Sequence, residues 1–172
     1  MPTLAQLERW FEQLLELVVM LLTGGLALVV LLAVIYRKAG ASFVWYDEVA
    51  EIMLAWLTYY GASLAALKRA HIGFPGLVES LPTHWRVAAV YLGEIVTIGF
   101  FAVLAWVGWE VLQVLEGSYL ISLPDIPIQF TQSVIPIGAV LFIIAQLLSL
   151  PRALDDARRG LRHEIPRELQ DT

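Results

Sequence analysis

The chain lacks cysteine, has few charges and carries little basic residue outside a handful of clusters, and each shortage removes a class of function. Without cysteine there can be no disulfide, thiolate metal site or cysteine nucleophile, and thiol usage says nothing about redox compartment. Only 16% of the residues are charged while 59% are hydrophobic, far from the near-even mix of soluble domains. The apolar residues therefore need lipid as their solvent. At 172 residues the length favours one unit, and the apolar runs leave no stretch for a soluble catalytic domain, so residues 1–172 read as a single membrane domain. The net charge of −5 does not argue against an anionic membrane, because orientation follows the placement of Lys and Arg. No nucleic-acid partner is expected.

What the sequence does have is four apolar runs, approximately residues 17–36, 49–67, 87–111 and 130–150. The first, Leu17 to Tyr36, is uncharged, and at about 1.5 Å per residue it spans the roughly 30 Å of a hydrocarbon core. It is too long for the apolar region of a signal peptide, and the acidic Glu8, Glu12 and Glu16 precede it, so we read it as a membrane span. Ahead of it, Leu4, Leu7, Phe11, Leu14 and Val18 recur at helical spacing, with Thr3 and Gln6 placed like a capping box. This predicts an N-terminal amphipathic helix at the interface, or a protruding first span. The expected fold is an all-α integral membrane protein of four transmembrane helices. No internal repeat is visible, which argues against a self-sufficient transporter made of two related halves.

Four spans place both termini on one side. With the termini inside, that side holds Arg9, Lys68, Arg69, Arg86, Arg152, Arg158, Arg159, Arg162 and Arg167, nine residues against Arg37 and Lys38 outside. This bias predicts cytoplasmic termini and a basic cytoplasmic tail over residues 151–172.

Few residues could carry chemistry. Glu94 lies about two turns inside the third span, where an ionisable group is costly and faces protein or water. It could be a proton or cation ligand, or a carboxyl bonded to a neighbouring helix or subunit; the structural role is the reading adopted. Asp47, Glu48 and Glu51 open the second span, where the helix dipole favours negative charge. Glu51 sits one turn deeper and calls for a partner such as Arg37 or Lys38. Ala55, Thr58, Ala62, Ser63, Ala65 and Ala66 form a small-residue packing face. Pro136 cannot donate to the carbonyl of Gln132, and Gly138 follows nearby, so a kink or locally opened turn is expected there. His71, His84 and His163 do not face one another across a bundle, which disfavours haem, and no buried serine has a base in reach. No catalytic, cofactor or metal site is expected.

The second span and its flanks carry a more specific pattern: Trp45-Tyr-Asp-Glu48-Val-Ala-Glu51, Trp56, Gly61-Ala62 and Lys68-Arg69-Ala-His71-Ile72-Gly73. With Leu123-Pro124, Pro127 and Ile135-Pro136-Ile137-Gly138 before and within the fourth span, it resembles the DctQ-like small permease subunit of TRAP transporters, the tripartite ATP-independent periplasmic family. The resemblance covers roughly Ala5 to Arg152. It implies a non-catalytic subunit of the bacterial inner membrane that scaffolds a large membrane transport subunit and works with a periplasmic substrate-binding protein. The importer would be sodium-coupled and take up organic acids, with membrane lipids around it. By the same resemblance, Trp45, Glu48, Arg69 and His71 match family positions suited to assembly. Glu51 stands where the family often has Arg. The competing reading is a membrane anchor with b-type haem or quinone chemistry.

Overall fold

The computed structural model describes residues 4–41, 43–70 and 82–159. They form five helices: α1 Leu4–Lys38, α2 Tyr46–Leu67, α3 Thr83–Val114, the short α4 Ile128–Gln132 and α5 Val134–Arg159. No β-strand occurs among the described residues, and four helical segments are long and apolar enough to cross a membrane. At about 1.5 Å per residue, the 35 residues of α1 and the 32 of α3 overreach a hydrocarbon core and must project from it.

The helices stand in a row rather than a closed square: α1 packs on α2, α2 on α5, and α5 on α3. The row puts α5 at the centre. In its apolar stretch 39% of residues are buried, against 6% in those of α1 and α3. The outer helices present apolar side chains to their surroundings, among them Leu21, Leu28 and Leu31 on α1 and Ile95, Phe100 and Val103 on α3. A helix apolar on every side is stable only in lipid or against another protein. Exposed tryptophans mark the two boundaries, with Trp10 and Trp85 at one end and Trp106 and Trp109 at the other. From Trp85 to Trp106 along α3 is about 32 Å, the separation of the two headgroup layers.

Close approach depends on small residues at two crossings. A side chain at Gly138 on α5 would meet Tyr59 Cβ at 2.7 Å, and one at Gly108 on α3 would meet Ile135 and Pro136 at 3.0 and 3.1 Å. Ser63 and Ala66 bury against α5, while Ala55 and Thr58 on the expected small-residue face are exposed. The contact therefore runs through Tyr59, Ser63 and Ala66, so Ser63 and Ala66 of the stripe read in the sequence are buried while its Ala55 and Thr58 are not. Ala66, Leu67, Phe142 and Ala145 form the buried core, and Phe101 stacks on Phe142 at 3.7 Å between ring centroids.

Two expectations need correction. The N-terminal amphipathic segment is no separate helix, since α1 runs unbroken from Leu4 to Lys38. Its inner stripe is Phe11, Leu15 and Val18, with Leu7 and Leu14 exposed, because α1 lies along α2 instead of across the interface. The opened turn expected from Pro136 lies at Ser133, between α4 and α5. Gln132 is the carbonyl that Pro136 cannot reach, and Ser133 accepts from Ile137 at 3.2 Å. The tail does not begin at Pro151 either: α5 continues through it to Arg159 and buries Ala153 and Ala157. Burial on this face, together with the Arg152 contact described below, holds the helix despite the missing proline donor. Residues 160–172 lie outside the described residues.

Candidate functional site

Polar side chains gather at the two ends of the helix row, and each gathering joins elements distant in sequence. The end that carries the start of α1 and the last turns of α2 and α5 is called here the terminal end.

At the terminal end α2 closes in a Schellman turn. Ala70 N–H donates to Ala65 O at 2.9 Å and Arg69 N–H to Ala66 O at 3.1 Å. This geometry places the second residue after the helix in the left-handed region, normally taken by glycine. Here the residue is Arg69, with φ 50°, at a backbone cost of about 1 kcal/mol. The side chain accounts for the choice. Arg69 Nη1 and Nη2 each donate to Glu94 Oε1 at 3.0 Å, and Nη1 also donates to Ser149 Oγ at 3.3 Å. One guanidinium thus ties α2, α3 and α5 together. Glu94 is only 5% exposed and Arg69 24%, and Glu94 lies about 14 Å along α3 from Trp85. A buried charge of this kind persists only when paired.

A second set of contacts fastens α1 to the same end. Lys68 bridges Glu16 and Glu12, the latter at 3.2 Å. Arg152 pairs with Glu8 and donates to Leu67 O at 2.9 Å, filling one of the orphan carbonyls at the end of α2. The carboxylates of Glu16 and then Glu12 raise the Lys68 pKa above its ordinary value. A raised lysine contributes stability below its unfolded pKa and loses it as pH rises through the folded one. The contact is therefore insensitive to pH near neutrality. Arg86 Nη1 adds a contact to Ala157 O at 3.4 Å, joining the start of α3 to the end of α5.

At the far end Glu48, in the first turn of α2, holds the loop between α3 and α4. Its Oε1 accepts Ile121 N–H at 3.2 Å, its Oε2 accepts Ser122 N–H at 2.9 Å, and the Ser122 hydroxyl donates to the same oxygen. The loop is pinched by a single antiparallel bridge between Tyr119 and Pro127. Trp56 Nε1–H donates to Thr131 O at 2.8 Å, and Gln129 Nε2 to Leu112 O at 2.8 Å, fixing α4 against α2 and α3. Because Glu48 satisfies two backbone donors and a hydroxyl, Glu48→Gln should loosen the loop. We expect faster hydrogen exchange at Ile121 and Ser122 with little change in α5, measured by mass spectrometry. Unchanged exchange there would remove the clamp role.

The residues singled out from sequence thus separate into groups. Arg69 and Glu94 meet directly. Trp45 joins the turn between α1 and α2 through Phe43, at 5.3 Å between centroids, and Phe43 meets Tyr36 at 4.5 Å. Glu51 finds neither Arg37 nor Lys38: it is exposed with no ion-pair partner among the described residues, and Arg37 donates to Tyr46 Oη instead. Tyr46 lies closer to the end of α1 than Glu51, which is a further turn along α2. Pro136 packs beside Gly108. His71 lies outside the described residues. Sequence reasoning missed Ser149 and Ser122, ordinary serines without a local motif. It also missed the Glu8, Glu12 and Glu16 series, whose spacing of four residues puts all three on one helical face and was the available signal.

The order of these elements agrees with a known family: residues 26–156 match the DctQ component of tripartite ATP-independent periplasmic transporters. The chain belongs to this family. The match takes in Glu48, Arg69, Glu94, Ser149 and Arg152 but begins after the acidic turns of α1. No curated protein matches the chain. As a member it is the small membrane subunit of a TRAP transporter, and its family is a component of a tripartite assembly, implying a large subunit and a binding protein as partners.

Proposed function

We propose that the chain is the non-catalytic small permease of a sodium-coupled, binding-protein-dependent importer of organic acids in a bacterial inner membrane. Its part is to scaffold the large subunit, which carries the transport sites. The observation that supports this most is the single row of helices, with its outer faces apolar and its buried polar groups used to join helices. Ser63 on α2 donates to Gly138 O on α5 at 3.4 Å, Trp56 on α2 donates to Thr131 O on α4 at 2.8 Å, and Arg69 after α2 donates to Glu94 on α3 and Ser149 on α5 at 3.0 and 3.3 Å. Side chains arranged in this way hold a frame and, among the described residues, leave no continuous polar route through it. The unpaired apolar faces of α1 and α3 suit a membrane partner and annular lipid.

Affinity capture tests the assembly. With a tagged large membrane subunit of the same transporter in mild detergent, the chain should co-purify in fixed ratio. Free elution of the two proteins would count against the scaffold. The anchor reading with b-type haem or quinone has no comparable support: His84 is exposed at the terminal end of α3, and His71 and His163 lie outside the described residues.

The nine-to-two division of Lys and Arg supports cytoplasmic termini and a periplasmic loop over residues 116–127. In this cysteine-free chain, an impermeant thiol reagent on intact cells should label Ser118→Cys and spare Thr172→Cys. The opposite labelling would invert the topology.

A further inference from the structure

Glu94 is satisfied on one side only. Both donors from Arg69 converge on Oε1, each at 3.0 Å, whereas an arginine facing a carboxylate squarely would give one donor to each oxygen. The carboxylate is therefore turned, and Oε2 points away from the guanidinium. That oxygen is buried and has no hydrogen-bond partner, in a side chain only 5% exposed. A buried carboxylate oxygen without a donor is a costly arrangement in lipid, where no bulk water can compensate it. A proton on Oε2 would not remove the need, because the resulting O–H would itself lack an acceptor.

We propose that Glu94 Oε2 binds an internal water molecule that also donates to Ser149 Oγ, closing a polar junction between α3 and α5. The neighbouring groups select water over other ligands. A cation is disfavoured because the Arg69 guanidinium already sits 3.0 Å from the partner oxygen. A side chain from another subunit is disfavoured because Oε2 is sealed within this chain. Ser149 cannot donate to Glu94, because its hydroxyl hydrogen is directed to Gln146 O at 3.1 Å. Ser149 does have acceptor capacity left after receiving Arg69 Nη1. The same Nη1 holds Glu94 Oε1 at 3.0 Å and Ser149 Oγ at 3.3 Å, so the Ser149 hydroxyl lies beside the carboxyl group that carries Oε2. A water with its two hydrogens directed to Oε2 and Oγ has two polar partners, within the range of about two to four found for buried waters.

The inference does not depend on what the transporter carries, and its test needs only the full chain in proteoliposomes. Water-edited solid-state NMR reports magnetisation passing from water to labelled carbons. Glu94 Cδ should receive it several-fold faster than the buried methyl carbons of Ala66 and Ala145. Ser149→Ala should slow the transfer to Glu94 by removing the second anchor; Ser149→Cys serves if the alanine variant does not insert. Transfer to Glu94 as slow as to Ala145 would overturn the proposal. So would fast transfer that survives loss of the Ser149 hydroxyl, since the protons would then come from Arg69 itself.

Discussion

Glu94→Met should be among the most damaging single substitutions in the chain, destabilising it by about 3–5 kcal/mol. The loss comes from what remains. Arg69 is 24% exposed and held in place by the Schellman turn of α2, so its guanidinium cannot swing freely into water. Left without Glu94, it keeps one weak contact to Ser149 at 3.3 Å and an uncompensated charge among α2, α3 and α5. The double substitution Arg69→Met with Glu94→Met should recover most of the loss, because an apolar pair of similar volume needs no compensation. Arg69→Gly with Glu94→Met should be more stable still, by about 1 kcal/mol, because glycine relieves the left-handed strain at φ 50°. Detergent titration of helix content on the purified variants reads this order. If Glu94→Met alone behaves like the double variants, the pair does not hold the helices together.

The four spans were legible because lipid imposes long uncharged runs, and no tertiary detail is needed to see them. Residues 17–36 and 49–67 fall within α1 and α2 for that reason. The ends of the helices were less legible. Pro151 looked like a stop, yet α5 passes through it: Ala153 and Ala157 on one buried face, with Arg152 capping α2, outweigh the local breaker. Pro136 did signal a break, and because the carbonyl it leaves without a donor belongs to Gln132, the chain opens at Ser133.

Arg69 and Glu94 were each visible as a charge at or inside a membrane boundary. Their pairing was not, because it depends on how α2 and α3 sit around α5, and they are 25 residues apart. The position of Arg69 was a usable clue. The first glycine after α2 is Gly73, too late to terminate a helix ending at Leu67, so another residue had to take the left-handed position. Glu48 illustrates the opposite failure. Dipole compensation at the start of α2 explains a carboxylate there without any long-range contact, and it concealed the loop donors 73 and 74 residues away.

The largest functional effect expected is loss of uptake when this chain is omitted. The large subunit would be left with an uncovered apolar face in lipid and without the fixed frame against which a moving element must work. Removing the frame should lower transport to background and leave the soluble binding protein able to bind its substrate. The chain alone should also move nothing, because it has no inverted repeat and because its buried polar groups are used in helix contacts rather than along a path. Radiolabelled uptake into proteoliposomes, driven by a sodium gradient and measured for each combination of the three components, tests this most directly. The account predicts uptake only when this chain, the large subunit and the binding protein are all present; uptake by this chain alone, or undiminished uptake without it, would contradict it.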